Sequence, residues 1–404
     1  MYIWDIIATS TVNMSDITIA FWNLGNLFDV SSSEPALVHE FTPERGWTNE
    51  VLDKKLENLA QVVKLMNNGH GPDLLGICEV ENQQITQKLV EKIGRDDYQV
   101  AQFNDGPDIR GIDTSLIYSK KIFRFVNANG YNVYLRYPTR DIFHVYLEVI
   151  ENAAELDVIV NHWPARVRGG QCETEPLRIT AAECCGRVVD NILKYQADEL
   201  KSMQDNLQSD ECIAKLDERW NKNVLIMGDF NDQPFDKSIM NHLYATPNAQ
   251  AMKEWRYIFE FLSKDFYARE RQNDKQNYLQ YAAYLYNCMW KLIPDGTLFY
   301  EGGLDLFDQF IISRGLLNGE QGLKMDLNEI KIDKSTKIAN HIPAGNFDPT
   351  GQKNKIHPIL KESPMSFEYI KKKANGEPEN LPAGRDPLTG FSDHFPIQAV
   401  INAI

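Results

Sequence analysis

The stretch "IMGDFND", residues 226–232, is a β-prone apolar run that ends in a group of polar side chains. Gly228 interrupts the run, and Asp229, Asn231 and Asp232 follow it. Asp, Asn and Gly favour tight turns because of their backbone geometry, so turn chemistry alone accounts for such a cluster. The other interpretation is that these side chains project from the carboxyl end of a strand into a functional site. The rest of the chain has to decide between the two.

Composition indicates a globular protein. The 404 residues are 43% apolar, enough for one large α/β domain or two ordinary ones. The formal net charge of -15 argues against a wide basic surface for nucleic acid. It does not argue against a phosphate-cleaving enzyme, because clustered carboxylates can hold a divalent cation, which makes the local charge positive. Six cysteines are too few for a disulfide-dense scaffold, so reduced thiols are expected.

The first residues do not resemble a targeting segment. They lack a basic leading region and Asp5 interrupts their apolar character, so no signal peptide is predicted and a cytoplasmic location is expected. No run of about 18 uncharged apolar residues occurs, so no integral membrane segment is predicted. We expect residues 1–13 to be a disordered tail and residues 14–404 to form a single domain.

Short β-prone runs alternate with helical ones along the chain. This rhythm predicts the α/β (α+β) class, with sheets covered by helices. The predicted helices cover residues 52–67 and 176–220, and the predicted strands cover 17–24, 73–80, 114–119, 123–128, 143–150, 156–163, 223–230, 306–313 and 395–401.

Some segments are additional to the alternating strands and helices. Residues 198–220 and 236–300 are predicted to be helical insertions, the second of them rich in Tyr and Trp. Such an aromatic stripe more often packs in a core than binds a ligand. Residues 340–390 contain many Pro, Gly, Asn and Lys residues and are predicted to form a long loop, which is usually functional or mobile.

Polar residues follow or interrupt several of the apolar strands. Asn23 in "FWNLGN" is explained by a turn, but Glu79 in "LGICEVEN" is a carboxylate behind an apolar run and needs a partner such as a cation. His162 ends the apolar strand of "VIVNHWPAR", where a structural histidine is the plainer explanation. In "LFDQFIIS" Asp308 lies in an apolar strand, and "FSDHFP" places His394 before the last one. A buried acid needs a donor, and histidine is a useful one.

Together these residues favour one shared site. Catalytic sites in sheet proteins form where strand ends and their loops converge. Two histidines, each oriented by a carboxylate, can stabilise a pentavalent phosphorus while a metal neutralises the same oxygens. The pattern therefore predicts a phosphoester hydrolase. Mg²⁺ suits it, because one or two carboxylates plus water and substrate oxygens are enough to hold that ion.

The ordered series "WN", "CEVEN", "NHWPAR", "GDFND", "FDQFIIS" and "SDHFP" resembles the endonuclease/exonuclease/phosphatase superfamily, the deoxyribonuclease I-like enzymes. The resemblance extends from Ile17 to Ile401. The segments "EFTPERGWT", "DIRGID" and "NHWPARVRGG" are most similar to a bacterial branch described as predicted endonucleases. The resemblance implies a four-layer sandwich, in which two packed mixed β-sheets are flanked by helices and the site lies at one edge.

It also implies roles for single residues. Glu79 resembles the principal metal ligand, Asn23 lies beside it and Asp393 is a further metal contact. The implied ion is Mg²⁺, with Mn²⁺ or Ca²⁺ as alternatives. Gly25 departs from the pattern, because many relatives of the bacterial branch have an acid there. The expected metal contact is then lost or moved nearby.

The implied catalytic residues come from the other motifs. Asp229 resembles the residue that orients or deprotonates the attacking water, and Asn231 the one that holds a phosphate oxygen. Asp308 and His394 resemble the carboxylate-histidine pair, and His162 the second histidine of the deoxyribonuclease-like members. Asp232 is assigned to the turn alone. Four further residues are expected to contact phosphate or to support the site from behind: Arg110, Asp113, Arg166 and Arg178.

Three functions remain open on the sequence. The leading hypothesis is a metal-dependent phosphodiesterase that cleaves nucleic acid or another phosphodiester, with no protein partner predicted. A phosphatase or lipid phosphodiesterase uses the same chemistry, and the acidic net charge slightly favours it. A non-catalytic binding module on the same scaffold is a different class. The complete set of acids and histidines counts against that module.

Overall fold

Two β-sheets packed face to face form the centre of the chain. The structure, a computed structural model, describes residues 16–30, 40–103, 105–166, 170–195, 199, 210–254, 284–338, 362–382 and 385–404. The strands are β1 (Asp16–Leu27), β2 (Leu74–Val80), β3 (Tyr98–Val100), β4 (Asp113–Ser119), β5 (Phe123–Tyr131), β6 (Ile142–Val149), β7 (Glu155–His162), β8 (Val224–Asp229), β9 (Ala245–Thr246), β10 (Leu285–Asn287), β11 (Leu298–Tyr300), β12 (Gly303–Asp305), β13 (Asp308–Ser313), β14 (Leu323–Ile332) and β15 (Ile397–Ala403). The α-helices are α1 (Asn49–Gly69), α2 (Gln83–Ile93), α3 (Gly170–Leu193), α4 (Asp210–Trp220), α5 (Ala249–Glu254) and α6 (Arg314–Asn318).

Both large sheets are mixed. The first has the strand order β14-β15-β1-β2-β4-β3, and its β1 and β2 are parallel. The second has the order β5-β6-β7-β8-β13-β10-β9, and its β7 and β8 are parallel. Each sheet therefore has a parallel pair near its middle whose carboxyl ends lie at the same edge. Strands β11 and β12 form a separate hairpin.

Apolar residues on both faces of the central strands pack against the other sheet on one side and against helices on the other. In β1, Ile19 and Phe21 belong to the core between the sheets, whereas Ala20 and Trp22 pack with α1 and α2. Strand side chains alternate between faces, so a strand that is apolar at every position is buried on both. The second sheet repeats this with α3 and α4 on its outer face. The predicted four-layer α+β sandwich is confirmed.

The sequence-based strand assignments missed several elements. Edge strand β14 was not predicted, because its apolar residues alternate with half-exposed polar ones in a short, charged segment. The region 236–300, predicted to be helical, contains the short strands β9, β10 and β11 in its described parts. Residues 255–283 of that region, the predicted tail 1–13 and residues 339–361 and 383–384 of the predicted loop lie outside the described residues. The division into one domain with two insertions stays a prediction.

Two further expectations from the sequence concern the cysteines and membrane-spanning helices. Cys78, Cys172, Cys184, Cys185 and Cys288 are free thiols, as expected for a chain without a disulfide framework. Across the described ranges, no helix combines the length and apolar character that crossing a bilayer requires.

Candidate active site

The predicted site residues come together at the edge where the parallel strands end. In the first sheet Asn23 of β1 is paired with Cys78 of β2, so that Glu79 is the next residue along β2. In the second sheet His162 of β7 is paired with Asp229 of β8. The two sheets thus present an amide, a carboxylate, an imidazole and a second carboxylate at one edge.

A close approach of β7 and β8 brings His162 and Asp229 to this edge. Gly228 is paired with Asn161, and a Cβ at residue 228 would overlap the backbone carbonyl oxygen of Asn161. The glycine in "GDFND" is therefore required by packing between strands rather than by a turn.

We expect Gly228→Ala to lower both stability and activity. The added methyl group forces β7 and β8 apart, which costs about 1–3 kcal/mol of unfolding free energy. Urea unfolding and initial rates of the purified variant measure the two effects. Gly303→Ala at the exposed start of β12, where no described atom lies within 4 Å of an added Cβ and the backbone is not left-handed, is the control for replacing a glycine without a packing conflict. Equal stability of the two variants would contradict the packing requirement.

His394 and Asp308 form a buried hydrogen-bonded pair at the centre of the site. Nδ1 of His394 lies 2.7 Å from Oδ2 of Asp308, and its Nε2 lies 3.8 Å from Oδ2 of Asp229. Burial lowers the pKa of His394, but the charges of Asp308 and Asp229 outweigh burial and hold that pKa well above its usual value. The imidazole is therefore a cation at neutral pH, with Nε2 directed to the shared space.

His162 differs from His394 in its surroundings. Its Nε2 lies 3.7 Å from both Oε1 of Glu79 and Oδ2 of Asp229, and its buried Nδ1 has no hydrogen-bond partner among the described residues. The expectation that each histidine has an orienting carboxylate is thus wrong for His162. Burial and the positive charges of Arg140 and Arg110 hold the pKa of His162 well below its usual value. The site therefore pairs one neutral with one cationic imidazole.

Asp229 connects the two sheets. Its Oδ2 accepts a hydrogen bond of 3.1 Å from Nδ2 of Asn23, and its Oδ1 accepts one of 2.9 Å from the backbone N–H of Asn231. Burial raises the pKa of Asp229 to about 7, although the charge of His394 lowers it. A carboxyl group with a pKa near 7 suits proton transfer in either direction at neutral pH.

Asn231 is held by the backbone. It adopts a left-handed conformation with φ of 51°, and its Nδ2 donates a hydrogen bond of 3.0 Å to the carbonyl oxygen of Trp163. An asparagine tolerates this conformation better than most residues do. The side chain is thereby fixed beside Asp229.

Glu79 and its neighbours form the other half of the site. Glu79 also has a positive φ, 59°, and its carboxylate is partly buried. Burial raises the pKa of Glu79, and the charge of Asp393 raises it further. Asp393 is exposed and lies beside Gly25, where an added Cβ would be 3.1 Å from its Oδ1. Two carboxylates near one another need a cation when both are ionised.

Sequence reasoning missed Lys55, the buried cation behind these carboxylates. Its Nζ donates to the carbonyl oxygens of Gly25 at 2.5 Å and Asn26 at 3.0 Å. Burial lowers the pKa of Lys55 to about 8, against the charges of Asp393 and Glu79, which raise it. A signal was present: in α1, Lys55 lies on the apolar face, between residues that are buried in the core.

Asp232 is not simply a turn residue, and this corrects the assignment made from the sequence. Its side chain is fully buried and its Oδ1 lies 2.7 Å from Nε of Arg178 and 2.9 Å from Nη2 of Arg166. Its Oδ2 accepts a hydrogen bond of 2.6 Å from Oγ of Ser238. The turn after β8 is therefore held to α3 by buried ion pairs.

Arg166 and Arg178 were expected either to contact phosphate or to support the site from behind, and their contacts agree with the second alternative. Arg178 is completely buried. Arg166 also donates from Nε to the carbonyl oxygen of Asn231 at 2.8 Å and from Nη2 to Asp236 at 2.6 Å. Because both guanidinium groups are used by protein carboxylates, their function is to support the site from behind.

Arg110 and Asp113 differ in whether their side chains can reach a substrate. The side chain of Arg110 is about half exposed, at 51%, and its Nε lies 3.3 Å from Oδ1 of Asp108. Its positive charge lowers the pKa of both Glu79 and His162. Arg110 remains a candidate phosphate contact, whereas Asp113 is buried and bound to the backbone N–H of Gly106 at 2.9 Å. A carboxylate in that position cannot reach a substrate phosphate.

The donor set fits a hard divalent cation. One ligand atom from each of Asp229, Asp308 and His394 lies within 4.8 Å of the others, a cluster found among the described residues. Since Asp308 already holds His394, however, Glu79 is the carboxylate left for a metal, with Asn23 and Asp393 beside it. Carboxylate and amide oxygens are the ligands that Mg²⁺ prefers.

Comparison with known proteins gives a family and a set of similar folds. Residues 18–210 match the model of the Endonuclease/Exonuclease/phosphatase family. The resemblance predicted from the six motifs is therefore confirmed, while the bacterial branch stays a prediction. Nucleases and phosphatases both hydrolyse phosphoesters, the class of reaction that the motifs predict. Among curated proteins, none matches at a significant level.

Similar solved structures have low sequence identity to this chain. An endonuclease/exonuclease/phosphatase family protein from Bacteroides thetaiotaomicron is 11% identical with a TM-score of 0.46, and covers 97% of this chain and 99% of its own. The mannosyl-6-phosphatase of the same organism is 12% identical, TM-score 0.44, with 95% and 99% covered. The human nocturnin catalytic domain is 14% identical, TM-score 0.42, with 96% and 95% covered.

Proposed function

From the confirmed resemblance to the endonuclease/exonuclease/phosphatase superfamily, we propose that this protein is a divalent-metal-dependent phosphodiester hydrolase. It acts as an endonuclease or exonuclease that cleaves nucleic acid by in-line attack of activated water. Mg²⁺ is the proposed cofactor, with Mn²⁺ or Ca²⁺ as alternatives. The predicted cytoplasmic location remains a prediction.

The convergence of two histidines on Asp229 supports this proposal most. The Nε2 atoms of His162 and His394 lie 3.7 and 3.8 Å, respectively, from the same oxygen, Oδ2 of Asp229. Their pKa values are displaced in opposite directions. Titratable groups whose environments separate their pKa values are typical of acid-base sites.

Each residue has a proposed task. Asp229 orients the attacking water and accepts its proton, and the cationic His394 donates a hydrogen bond to a phosphate oxygen that gains charge. Neutral His162 and Asn231 hold the other phosphate oxygens. Glu79, Asn23 and Asp393 are the proposed metal ligands. When bound, the metal neutralises charge on the phosphate and on the leaving oxygen.

One observation favours the alternative of a phosphatase or lipid phosphodiesterase. The chain has a net charge of -15, and two of the four residues expected to contact phosphate, Arg166 and Arg178, are buried in ion pairs. A nuclease usually offers a basic track for the nucleic-acid backbone. A small phosphoester needs no such track.

We expect hydrolysis to stop when the metal is removed and to be strongly reduced in Glu79→Gln. Loss of a principal metal ligand lowers kcat/KM by about 10²-fold or more at limiting Mg²⁺. Rates are measured on plasmid DNA, RNA, bis-p-nitrophenyl phosphate and p-nitrophenyl phosphate with Mg²⁺, Mn²⁺, Ca²⁺ or EDTA.

The comparison of substrates separates the alternatives. Cleavage of the monoester alone supports the phosphatase, and full activity in EDTA contradicts the whole proposal. Glu57→Gln, a change of the same chemistry on the exposed face of α1, is the control and should retain wild-type rates.

A further inference from the structure

Lys55 is a buried cation that no step of the proposed hydrolysis uses. It lies on α1, and only 2% of the residue is exposed. Among the described residues, no carboxylate forms an ion pair with its ammonium group, although buried lysines are nearly always paired. The ring centroids of Trp47 and Phe367 each lie 5.8 Å from Nζ, and their faces stabilise the charge only in part. A methionine of similar volume would fill the same space without a buried charge, so packing alone does not explain the lysine.

The ammonium group binds an irregular part of β1. Regular pairing of β1 with β2 is interrupted between Asn23 and Leu27, and we call residues 24–26 the β1 bulge. Nζ of Lys55 donates hydrogen bonds to the carbonyl oxygens of Gly25 at 2.5 Å and Asn26 at 3.0 Å. Both residues are left-handed, with φ of 60° and 63°, which is uncommon for a residue other than glycine. Two charge-assisted hydrogen bonds therefore stabilise one conformation of the β1 bulge.

The β1 bulge in turn fixes the side chain of Asn23. The backbone N–H of Gly25 donates a hydrogen bond of 3.0 Å to Oδ1 of Asn23, and Nδ2 of Asn23 donates one of 3.1 Å to Oδ2 of Asp229. Oγ of Ser392 donates a further hydrogen bond of 2.6 Å to the carbonyl oxygen of Asn23. A continuous series of contacts therefore leads from Lys55 through Gly25 and Asn23 to Asp229. Bulges beside active sites often direct a side chain in this way.

We propose that Lys55 is a positioning residue for hydrolysis, which holds the β1 bulge so that the amide of Asn23 stays on Asp229. The inference rests on the proposed function, in which Asn23 is a metal ligand and Asp229 accepts the proton of the attacking water. Because Lys55 is buried behind the β1 bulge, it acts through Asn23 and not on the substrate. Loss of a group that orients a metal ligand from behind lowers metal affinity or activity by about 10- to 100-fold.

Lys55→Met tests this role, because it removes the ammonium group and nearly keeps the volume of the side chain. We expect Kd for Mn²⁺, measured by calorimetric titration with MnCl₂ in the absence of substrate, to weaken about ten-fold. On bis-p-nitrophenyl phosphate, kcat should fall by about ten-fold or more while KM changes less than about two-fold. Lys54→Met is the matched control, since Lys54 is an exposed neighbour on α1 that pairs with Glu57, and it should leave all three values unchanged.

The direction of the change in Kd separates positioning from a simple effect of charge. Burial lowers the pKa of Lys55, and the charges of Asp393 and Glu79 raise it, so the ammonium group and these proposed metal ligands interact. Loss of a positive charge near them would by itself tighten Mn²⁺ binding. Weaker binding in Lys55→Met therefore reports displacement of Asn23.

A double-mutant cycle with Asn23→Ala separates positioning from a general effect on folding. If Lys55 acts through Asn23, Lys55→Met should change kcat by less than about two-fold in the Asn23→Ala background. Urea unfolding of the metal-free proteins should likewise show losses of unfolding free energy that are not additive. Lys55→Gln, which keeps an N–H donor, takes the place of Lys55→Met in every comparison if the methionine variant does not fold.

Two results would overturn the positioning role. One is a Kd for Mn²⁺ that is unchanged or tighter in Lys55→Met, and the other is additive losses of unfolding free energy in the metal-free cycle. Absence of hydrolysis in the unsubstituted protein would instead contradict the proposed function. That absence would leave the metal-free cycle intact, so failure of one proposal is distinguishable from failure of the other.

Discussion

His394→Gln is expected to lower kcat by about 10²- to 10³-fold on a phosphodiester substrate. In the wild type, His394 is a buried cation because Asp308 and Asp229 raise its pKa. Glutamine keeps an N–H that can donate to Asp308 but carries no charge. The variant therefore loses the positive donor at the phosphate while Asp308 remains hydrogen-bonded.

The pH profile distinguishes this role from a structural one. Activity should rise as pH passes about 7, where Asp229 ionises, and should fall at alkaline pH, where His394 finally loses its proton. The alkaline fall should be absent in His394→Gln, because glutamine does not titrate. A variant with wild-type kcat, or with an unchanged alkaline fall, would contradict the assignment. Near-wild-type Tm controls for folding.

Asp232→Asn is expected to lower the unfolding free energy by about 3–5 kcal/mol. Asp232 and Arg178 are fully buried, and Arg166 is nearly so. Removing the carboxylate leaves the buried guanidinium group of Arg178 without a counter-charge in a low-dielectric interior, whereas Arg166 keeps its ion pair with Asp236. Urea unfolding followed by tryptophan fluorescence measures the loss.

Two comparisons make this result specific. Glu57→Gln breaks a surface pair in which Lys54 Nζ lies 3.1 Å from Oε2 of Glu57, and should cost less than about 1 kcal/mol. Adding Arg178→Met to Asp232→Asn should recover part of the lost stability, since it removes the uncompensated charge. Similar small losses for Asp232→Asn and Glu57→Gln would show that the buried network does not stabilise the turn.

Much of the fold and of the candidate site is predictable because both depend on local pattern. Strand β1 is apolar at nearly every position, which predicts burial on two faces, and "GDFND" places Asp229 directly behind a strand. Parallel strands end at one edge, so Asn23 lies near Glu79 in the first sheet and His162 beside Asp229 in the second. The packing of the two sheets then brings the two pairs together.

Partners distant in the chain are less predictable. In the sequence, Arg166 and Arg178 look the same as arginines that contact phosphate. In the structure both form ion pairs with Asp232. Asp113 resembles a site residue by its motif but accepts a hydrogen bond from the backbone N–H of Gly106 instead. Whether a charged side chain meets a substrate or another residue depends on distances between segments far apart in sequence.

By itself the sequence determined the α/β class with sheets covered by helices, the strand ends that carry acids and histidines, and the class of chemistry, because periodicity and turn residues act locally; the four-layer arrangement was implied by the resemblance to the family. Only the tertiary structure decided the electrostatics. In the folded chain His394 is a cation and His162 is neutral. Lys55 is buried behind Glu79, and Asp232 forms ion pairs with two arginines in addition to its place in the turn. The physical reason is that a charge is stabilised or penalised by its burial and its nearest partners, which the packing of distant segments creates.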